Sequence, residues 1–408
     1  MRNPRVRAVV VGRSAASLGN QIVAVAVGWE LYERTGDPLA LGLSGLFEVA
    51  PVFLLMVPAG HAADRFARRS VAMIAYGLVA LAVLGLALVS WQQAPVALVY
   101  GLLVGIGAAR AFASPSVESL VPQLVPTGQL ANAEAWLTSC AKLASIGGAA
   151  LGGLLIALLG AASGTYLVAA AFTLTFAATL TTLPAIKPRP RARPAGEGSL
   201  FAGWVFIRRQ PVFLAAITLD LFAVLFGGAV ALLPIFAKDV LAVGPSGLGL
   251  LRAAPAMGAL LMALFVARWC HWKRPGRVLL LVVTGFGLAT IGFGLSRDLW
   301  VSLACLFLTG AFDSVSAVIR VTLQQTITPD HLRGRVAAVE NVFVGFSNEL
   351  GALESGATAA WFGPVLSVIG GGTATLGVVL LVALVWPALA HIGPLQTLQP
   401  LEAEAEQV

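Results

Sequence analysis

Long apolar runs alternate with short polar connections along almost the whole chain. Twelve runs are apparent, at approximately 8–32, 41–62, 70–90, 95–115, 133–160, 164–184, 211–237, 246–267, 277–296, 299–321, 335–361 and 364–390. A helix that crosses a bilayer needs about 20 mostly apolar residues, which these runs supply. Strands of a membrane barrel would alternate apolar and polar positions, and these runs do not. The pattern therefore predicts an all-α membrane protein with twelve transmembrane helices, called spans 1 to 12 below.

The composition agrees with a chain that lies mostly within a lipid bilayer. Of its 408 residues, 58% are hydrophobic and 11% are charged, whereas soluble domains carry about 25% charged residues. The net charge of +7 does not indicate nucleic-acid binding, because the basic residues fall in a few short connections. Neither a nucleotide-binding Walker loop nor a catalytic or metal-ligand cluster is apparent. We therefore expect no enzyme, no cofactor and no metal.

The basic residues also predict the orientation of the spans. With the amino terminus inside, 18 lysines and arginines fall in inside segments and three in outside segments. Because cytoplasmic connections are enriched in these residues, we expect both termini to be cytoplasmic.

The two halves of the chain resemble each other weakly, which predicts a duplicated architecture. Gly45 and Pro51 correspond to Gly249 and Pro255 at an offset of 204 residues. Repeats of this kind are common in transporters. We predict an N-terminal six-helix bundle over 1–184, a Pro-rich basic cytoplasmic linker over 185–209, a C-terminal six-helix bundle over 210–390 and a cytoplasmic tail over 391–408.

The connection between spans 2 and 3 concentrates charge. It reads GHAADRFARR, and its notable residues are Gly60, Asp64, Arg65, Arg68 and Arg69. Asp64 is suited to accept hydrogen bonds at a helix N-terminus, and Arg65 and Arg68 are suited to pair with acidic groups. Gly60 would allow a close approach of two helices. The plainer alternative is a positively charged cytoplasmic anchor with an incidental aspartate.

The spacing G-x-x-x-D-R-x-x-R-R resembles the signature loop between helices 2 and 3 of the major facilitator superfamily. The resemblance covers essentially the whole chain through the twelve spans, the repeat and the central basic linker. It implies a monomeric transporter in which two six-helix bundles rock about a central site, with this loop stabilising the outward-open state.

The opening third is most similar to the enterobactin-exporter and macrolide-efflux branch of that superfamily. The similarity rests on SLGNQ at 17–21, WELYERTGDP at 29–38 and the loop just described. It implies export of a siderophore, antibiotic or other amphipathic small molecule across a bacterial inner membrane, with proton antiport as the usual drive. Two alternatives stay open, because a fold does not determine the direction of transport or the substrate. One is a nutrient importer or facilitator, and the other is a receptor or scaffold that transports nothing.

Polar residues recur on one face of span 1. They follow helical spacing, with one further amide beside them: Ser14, Ser17, Asn20, Gln21, Gly28 and Tyr32. Lipid would leave such side chains without hydrogen-bond partners, so this face should contact another helix or a water-filled cavity. In the superfamily that the chain resembles, helices 1, 4, 7 and 10 line the central cavity. Asn20 and Gln21 are therefore candidate cavity residues.

Ionisable side chains inside spans are costly in lipid and are therefore candidates for function. Those proposed for the substrate or proton cavity are Glu30, Arg110, Asp220, Asp313, Arg320 and Glu349. Asp220 and Asp313 lead as carriers of the coupling proton, with a structural salt bridge as the alternative for each. Asp313, Ser316 and Arg320 share one face of span 10. Arg13 and Glu340 lie nearer the inner ends of their spans and are not among the candidates.

Two further patterns concern how helices meet. Glu48 and Arg252 hold equivalent positions of the repeat with opposite charges. We predict that they form an ion pair that closes the outer side, with two separate water-facing residues as the alternative. In span 5, Gly148, Gly152 and Gly153 resemble the antiporter motif of exporters, although an alanine replaces its proline. Small residues there predict close helix packing.

Overall fold

The protein is helical throughout the part of the chain that can be described. The computed structural model describes residues 4–118, 120, 130–183, 200–269, 272–330 and 332–394, and within these ranges it contains helices and no strand. The predicted all-α fold is therefore confirmed. Most of the predicted linker and of the predicted tail lies outside the described residues.

Twelve long helices follow one another along the described ranges. The first six are α1 (Pro4–Thr35), α2 (Pro38–Arg65), α3 (Arg68–Trp91), α4 (Val96–Glu118), α5 (Leu130–Leu159) and α6 (Ala162–Thr181). The last five are α8 (Gly244–Trp269), α9 (Pro275–Leu295), α10 (Leu299–Ile327), α11 (Arg333–Phe362) and α12 (Pro364–Val385). Between these sets, α7 (Pro211–Val240) is regular over Pro211–Phe226 and continues as a 3-10 turn at Ala229–Leu232 and a π-helical turn at Phe236–Val240.

Among the described helices, eleven are long and apolar enough to cross a membrane. The remaining long helix is α11, which has 30 residues but carries Glu340, Glu349 and Glu354. Its length still exceeds the roughly 20 residues that a span requires. The prediction of twelve spans therefore agrees with the helices, and α11 is the least apolar of them.

Helix boundaries follow local sequence signals. Asp37 caps α2 by accepting a hydrogen bond from the backbone N–H of Leu39 at 2.9 Å, and Pro38 occupies the first helical position. Asp298 caps α10 in the same way through the N–H of Val301 at 3.0 Å. Gly363 joins α11 to α12 with φ of +85°, a conformation that favours glycine.

The chain divides into two compact units, residues 1–191 with 233–253, and residues 192–232 with 254–408. In the first unit, α1 packs against α5 and α6, α3 packs against α4 and α6, and α2 packs against α4. In the second, α9 packs against α10 and α12, and α7 packs against α11 and α12. The end of α7 and the start of α8 thus cluster with the first unit. The predicted boundaries of the two six-helix bundles, at residues 184 and 210, stay a prediction.

Glycines on α5 allow the close packing that the sequence predicts. A Cβ at Gly148 would lie 2.7 Å from the carbonyl oxygen of Leu18, and one at Gly152 would lie 3.2 Å from Cα of Ile22. Both contacts are with α1. Since lipid tails are as apolar as leucine, close van der Waals packing of this kind is what holds membrane helices together.

Aromatic residues at helix ends are consistent with a membrane boundary. Trp91 ends α3, Trp300 begins α10 and Trp361 lies at the end of α11, and each is about three-quarters exposed. Tryptophan is enriched where the bilayer meets water. Leucines such as Leu54 and Leu384, in the middle and near the end of their helices, are also highly exposed, as lipid-facing side chains would be.

The second part of the predicted linker is helical. Residues Leu200–Arg209 form one short helix whose apolar side chains Trp204, Phe206 and Ile207 pack into the core of the second unit. Its last two residues, both arginines, are exposed. This segment has a helical pattern of apolar residues, which explains why it forms a helix within the predicted linker.

Candidate functional site

A cavity of about 220 Å³ lies inside the first unit, between α1, α3, α4 and α6. Six of its lining residues are polar or charged, and two of these are arginines: Arg13, Ser17, Asn20, Arg110, Ser114 and Thr173. The contribution of α3 includes the apolar side chains Val79 and Val83. This lining is consistent with the prediction that part of the polar face of span 1 faces a cavity rather than lipid.

Arg110 is held at this cavity by two partners on other helices. Its guanidinium donates hydrogen bonds to Oδ1 of Asn20 and to Oε1 of Glu48, with which it forms an ion pair. Gly107, one turn earlier on α4, permits this contact, because a Cβ there would overlap the carbonyl oxygen of Glu48. The sequence therefore brings α2 and α4 close together at the depth where the two charges meet.

The ion pair of Glu48 differs from the one predicted. Glu48 pairs with Arg110, whereas the guanidinium of Arg252 donates to the backbone carbonyl oxygen of Ala24 at 3.1 Å. The repeat indicated equivalent positions on α2 and α8, but the partner of Glu48 is decided by the close α2–α4 contact. The Glu48–Arg252 gate stays a prediction.

The polar face of α1 serves several partners. Ser17 and Asn20 line the cavity. Gln21 instead lies against α5, with its Cβ 3.0 Å from where a Cβ of Gly148 would be. Near the carboxyl end of α1, the hydroxyl of Tyr32 donates to Oδ2 of Asp239 at the end of α7, within the first unit. Both interpretations of this face, helix contact and cavity lining, therefore hold for different residues.

Glu30, predicted as a cavity residue, lies in a buried polar contact. Its side chain is paired with Arg34 one turn later at 3.0 Å and accepts a hydrogen bond from the hydroxyl of Tyr166 at 2.9 Å. Glu30 is 4% exposed and Tyr166 is fully buried. This arrangement ties α1 to α6, so a structural role suits Glu30 better than substrate contact.

A cluster of ionisable groups lies inside the second unit. Arg320 of α10 pairs with Asp220 of α7 at 2.8 Å and with Glu340 of α11 at 3.2 Å. All three are 5–7% exposed. One orientation of the Gln324 side-chain amide gives both its nitrogen and its oxygen a hydrogen-bond partner. In that orientation the nitrogen donates to Oε2 of Glu340 at 2.9 Å and the oxygen accepts from the N–H of Ala337 at 2.9 Å. Two carboxyl groups thus share one guanidinium in a buried position.

A small cavity adjoins this cluster. Asp220, Asp313 and Ser316 line it together with apolar side chains, and its volume of about 10 Å³ is close to the minimum for a single water molecule. Ser316 is 3% exposed, and its hydroxyl is buried without a hydrogen-bond partner among the described residues. Asp313 is exposed. The predicted common face of Asp313, Ser316 and Arg320 is consistent with these positions.

The remaining candidates from the sequence are Glu349 and the residues of the signature loop. Glu349 lies half-buried on α11. In the signature loop, α2 continues through Arg65 and α3 begins at Arg68, so the connection is shorter than the spans indicated. Nothing lies within 4 Å of where a Cβ of Gly60 would be, so the predicted close approach does not occur among the described residues of this structure. Arg69 donates to the carbonyl oxygen of Thr181 at 2.9 Å.

The side chain of Asp64 lies outside the described residues, so the predicted role of the signature loop stays a prediction. Arg65 is exposed and Arg68 is half-buried.

Sequence reasoning missed two residues that the structure brings to these sites. Arg13 lines the cavity of the first unit, and Glu340 is the second partner of Arg320. Neither was among the candidate residues. Arg13 could have been found from its spacing, since it precedes Ser17 by one helical turn on the polar face of α1.

Comparison with known proteins identifies the family. The model of the Major Facilitator Superfamily matches residues 9–352. Among curated proteins, the chain is 31% identical over 392 residues to "Enterobactin exporter EntS" of Shigella dysenteriae serotype 1 (strain Sd197), which covers 94% of this chain and 92% of the relative. The protein of the same name from Escherichia coli O1:K1 / APEC has the same identity and coverage.

Solved structures of transporters share the fold. A bacterial homologue of the human lysosomal transporter Spinster, in an inward-facing and unoccupied conformation, is 15% identical with a TM-score of 0.72 and 96% of each chain covered. A POT family transporter in complex with 5-aminolevulinic acid is 11% identical with a TM-score of 0.74, covering 94% of this chain and 96% of that one. At these identities the likeness concerns the fold alone. With the family match over most of its length, the chain belongs to the Major Facilitator Superfamily and is a multi-pass membrane transporter of a small molecule, not an enzyme.

Proposed function

We propose that this transporter exports a siderophore-like amphipathic molecule across the bacterial inner membrane in exchange for protons. The observation that carries the proposal is the 31% identity to proteins named enterobactin exporters, which extends over 94% of this chain. Because the match also covers 92% of the relative, it extends along both chains rather than over one shared segment. Alternating access and proton antiport are typical of the family.

The cluster in the second unit supports a proton as the coupling ion. Asp220 and Glu340 share the single guanidinium of Arg320, so with both carboxyl groups ionised the buried cluster would carry one uncompensated negative charge. An unpaired buried charge costs several kcal/mol, and a bound proton removes it. We assign this proton to Asp220, which lies beside the small cavity.

Asp313 supplies the route by which the proton reaches Asp220. Asp313 is exposed and lines the same small cavity as Asp220 and Ser316. The buried hydroxyl of Ser316 has no other partner among the described residues, and a hydroxyl group both donates and accepts. One water molecule in this cavity would connect the exposed carboxyl group to the buried one.

The proposal includes the topology expected from the sequence. Both termini face the cytoplasm, because 18 of the lysines and arginines fall in inside segments and three in outside segments. The transporter acts as a monomer in the lipid bilayer, with the signature loop around Asp64 as its inner conformational element. On the outer side, Glu48 would exchange Arg110 for Arg252 when the transporter closes.

Everted inner-membrane vesicles test the transport reaction. In vesicles that contain the protein, respiration acidifies the lumen, and labelled enterobactin should accumulate inside as protons leave. Accumulation should stop when a protonophore collapses the gradient, and Asp220→Asn should show facilitated exchange without gradient-driven accumulation. No accumulation in the wild type would refute the siderophore as substrate, and accumulation that persists with the protonophore would refute proton coupling.

A matched variant separates the coupling role from general damage. Asp330→Asn removes a carboxyl group from the exposed pair with Arg333, so it should leave gradient-driven accumulation unchanged. Equal losses in Asp220→Asn and Asp330→Asn would contradict the assignment of the proton to Asp220.

A further inference from the structure

We infer that the cavity inside the first unit is a binding site for an organic anion, namely a carboxylate or phenolate group carried on a small apolar body. It is formed by α1, α3, α4 and α6 of one unit. The inference rests on the proposed export function, because it gives the exporter a preference for anionic substrates.

The charges around the cavity do not balance. Arg13 and Arg110 both line it, and Arg110 is paired with Glu48. Arg13 is half-buried, and no carboxylate group among the described residues forms a salt bridge with it. The cavity therefore carries one positive charge that the described side chains leave uncompensated.

The described residues of the helices around the cavity supply no carboxylate that pairs with Arg13. Along α1, α3, α4 and α6 the acidic residues are Glu30, Glu33 and Glu118, which lie at helix ends. Glu30 is already paired with Arg34, and Glu118 is exposed and forms no salt bridge with Arg13. A cation inside a membrane span without a counter-charge is costly. An anionic ligand would supply the counter-charge through charge-assisted hydrogen bonds, which are about twice as strong as neutral ones.

The polar groups are spaced for a ligand with more than one contact. Arg13, Ser17 and Asn20 follow one face of α1 at intervals of one turn, so Arg13 and Asn20 are about 10 Å apart along the helix axis. Asn20 is the residue that also holds Arg110. An anionic group at Arg13 could thus extend a second polar group toward Arg110, with the hydroxyl of Ser17 between them.

The part of the cavity formed by α3 is suited to an apolar ring. Tyr76, Val79 and Val83 recur on one face of α3 and line the cavity. The ring of Tyr76 is fixed by an edge-to-face contact with Phe176, with centroids 4.6 Å apart, and such rings offer a flat surface to an aromatic ligand.

The volume of the cavity limits the size of the ligand that it can bind. Its volume of about 220 Å³ lies below the roughly 300–1,000 Å³ of pockets that enclose drug-sized ligands. It therefore suits a single-ring organic acid, or one acidic arm of a larger molecule.

Calorimetric titration of the purified full-length protein with benzoate and with benzamide tests the inference. The two probes have nearly the same shape, but only benzoate is an anion at neutral pH. Benzoate should bind at least tenfold more tightly than benzamide. Arg13→Gln should lower the affinity for benzoate at least tenfold, and Arg13→Lys, which keeps the charge, should retain part of it. Arg208→Gln removes the same charge from the exposed end of the short helix before α7 and should leave the affinity unchanged.

One further variant keeps the test decisive if Arg13→Gln folds poorly. Val83→Phe fills the part of the cavity formed by α3 without changing charge and should also weaken benzoate binding. Equal binding of benzoate and benzamide, or benzoate binding that survives both Arg13→Gln and Val83→Phe, would overturn the anion site. Binding lost equally in Arg208→Gln would do the same.

The outcome is independent of the vesicle experiment. Benzoate binding that depends on Arg13, in a protein that accumulates no enterobactin, would keep the anion site and reject the proposed substrate. Accumulation of enterobactin that benzoate does not inhibit and that Arg13→Gln does not change would keep the export function and reject the site.

Discussion

Removing either partner of the Arg320–Asp220 pair should have unequal effects on stability. The pair has an N–O distance of 2.8 Å, and Arg320 also contacts Glu340 at 3.2 Å. Arg320→Gln leaves two buried carboxyl groups without a cation. Asp220→Asn leaves the Arg320–Glu340 pair intact, and the asparagine oxygen can still accept from Arg320. Both variants lose the salt bridge between Arg320 and Asp220. They differ in the charged groups that remain buried afterwards.

The magnitudes follow from this difference. Breaking a buried pair so that a charge is left uncompensated costs about 3–5 kcal/mol, and we expect this loss in the free energy of unfolding of Arg320→Gln. Replacing an ionised acceptor by a neutral one costs about 1.5 kcal/mol or less, which is the expected upper limit for Asp220→Asn. Lowering the pH should recover part of the loss in Arg320→Gln, because protonation removes the repulsion between Asp220 and Glu340.

Unfolding in mixed micelles, followed by tryptophan fluorescence, measures both free energies. Arg333→Gln is the matched control, since it breaks a 2.7 Å pair with Asp330 whose side chains are 51% and 88% exposed. Exposed pairs contribute about 1 kcal/mol or less. Equal losses in Arg320→Gln and Asp220→Asn would refute the argument from charge balance, whatever their absolute size.

Three other predictions concern packing and topology. Gly148→Ala should cost about 1–3 kcal/mol of unfolding free energy, because its Cβ would lie 2.7 Å from a backbone carbonyl oxygen of α1. Gly105→Ala is the control and should be neutral or slightly stabilising, because no described residue lies within 4 Å of its Cβ. Equal losses in the two variants would contradict the packing argument. Tyr166→Phe removes a 2.9 Å hydrogen bond to a buried carboxylate and should cost about 1.5–3 kcal/mol, with substrate affinity measured by calorimetry unchanged. In a cysteine-free background, Arg208→Cys should react with an impermeant thiol reagent only in everted vesicles and Arg297→Cys only in right-side-out vesicles, and the reverse result would invert the topology.

The sequence predicted those features that depend on one helix at a time. The twelve spans follow from hydropathy and length, and the shared face of Asp313, Ser316 and Arg320 follows from helical periodicity. The polar face of α1 was found in the same way. Each of these inferences needs only the order of residues along one segment.

Features that depend on the meeting of helices were harder to predict. Glu48 was expected beside Arg252 because the repeat made them equivalent, yet a glycine at position 107 brings Arg110 to Glu48 instead. Glu340 was not among the candidates, but it is a partner of Arg320. Such partners are chosen by small residues that set how closely two helices approach, and their effect is visible only once the helices are packed.

The two units differ in the sign of the charge that their polar clusters leave unbalanced. In the first unit, Arg13 adds a positive charge to a cavity where Arg110 already has Glu48 as its partner. In the second, Asp220 and Glu340 share one guanidinium and leave a negative charge. Each imbalance opposes folding to the extent that its charge is buried, which is nearly complete in the second unit and partial at Arg13. Each is best explained by a mobile counter-charge: an organic anion in the first unit and a proton in the second. An exporter that exchanges an acidic molecule for protons requires both of these ligands.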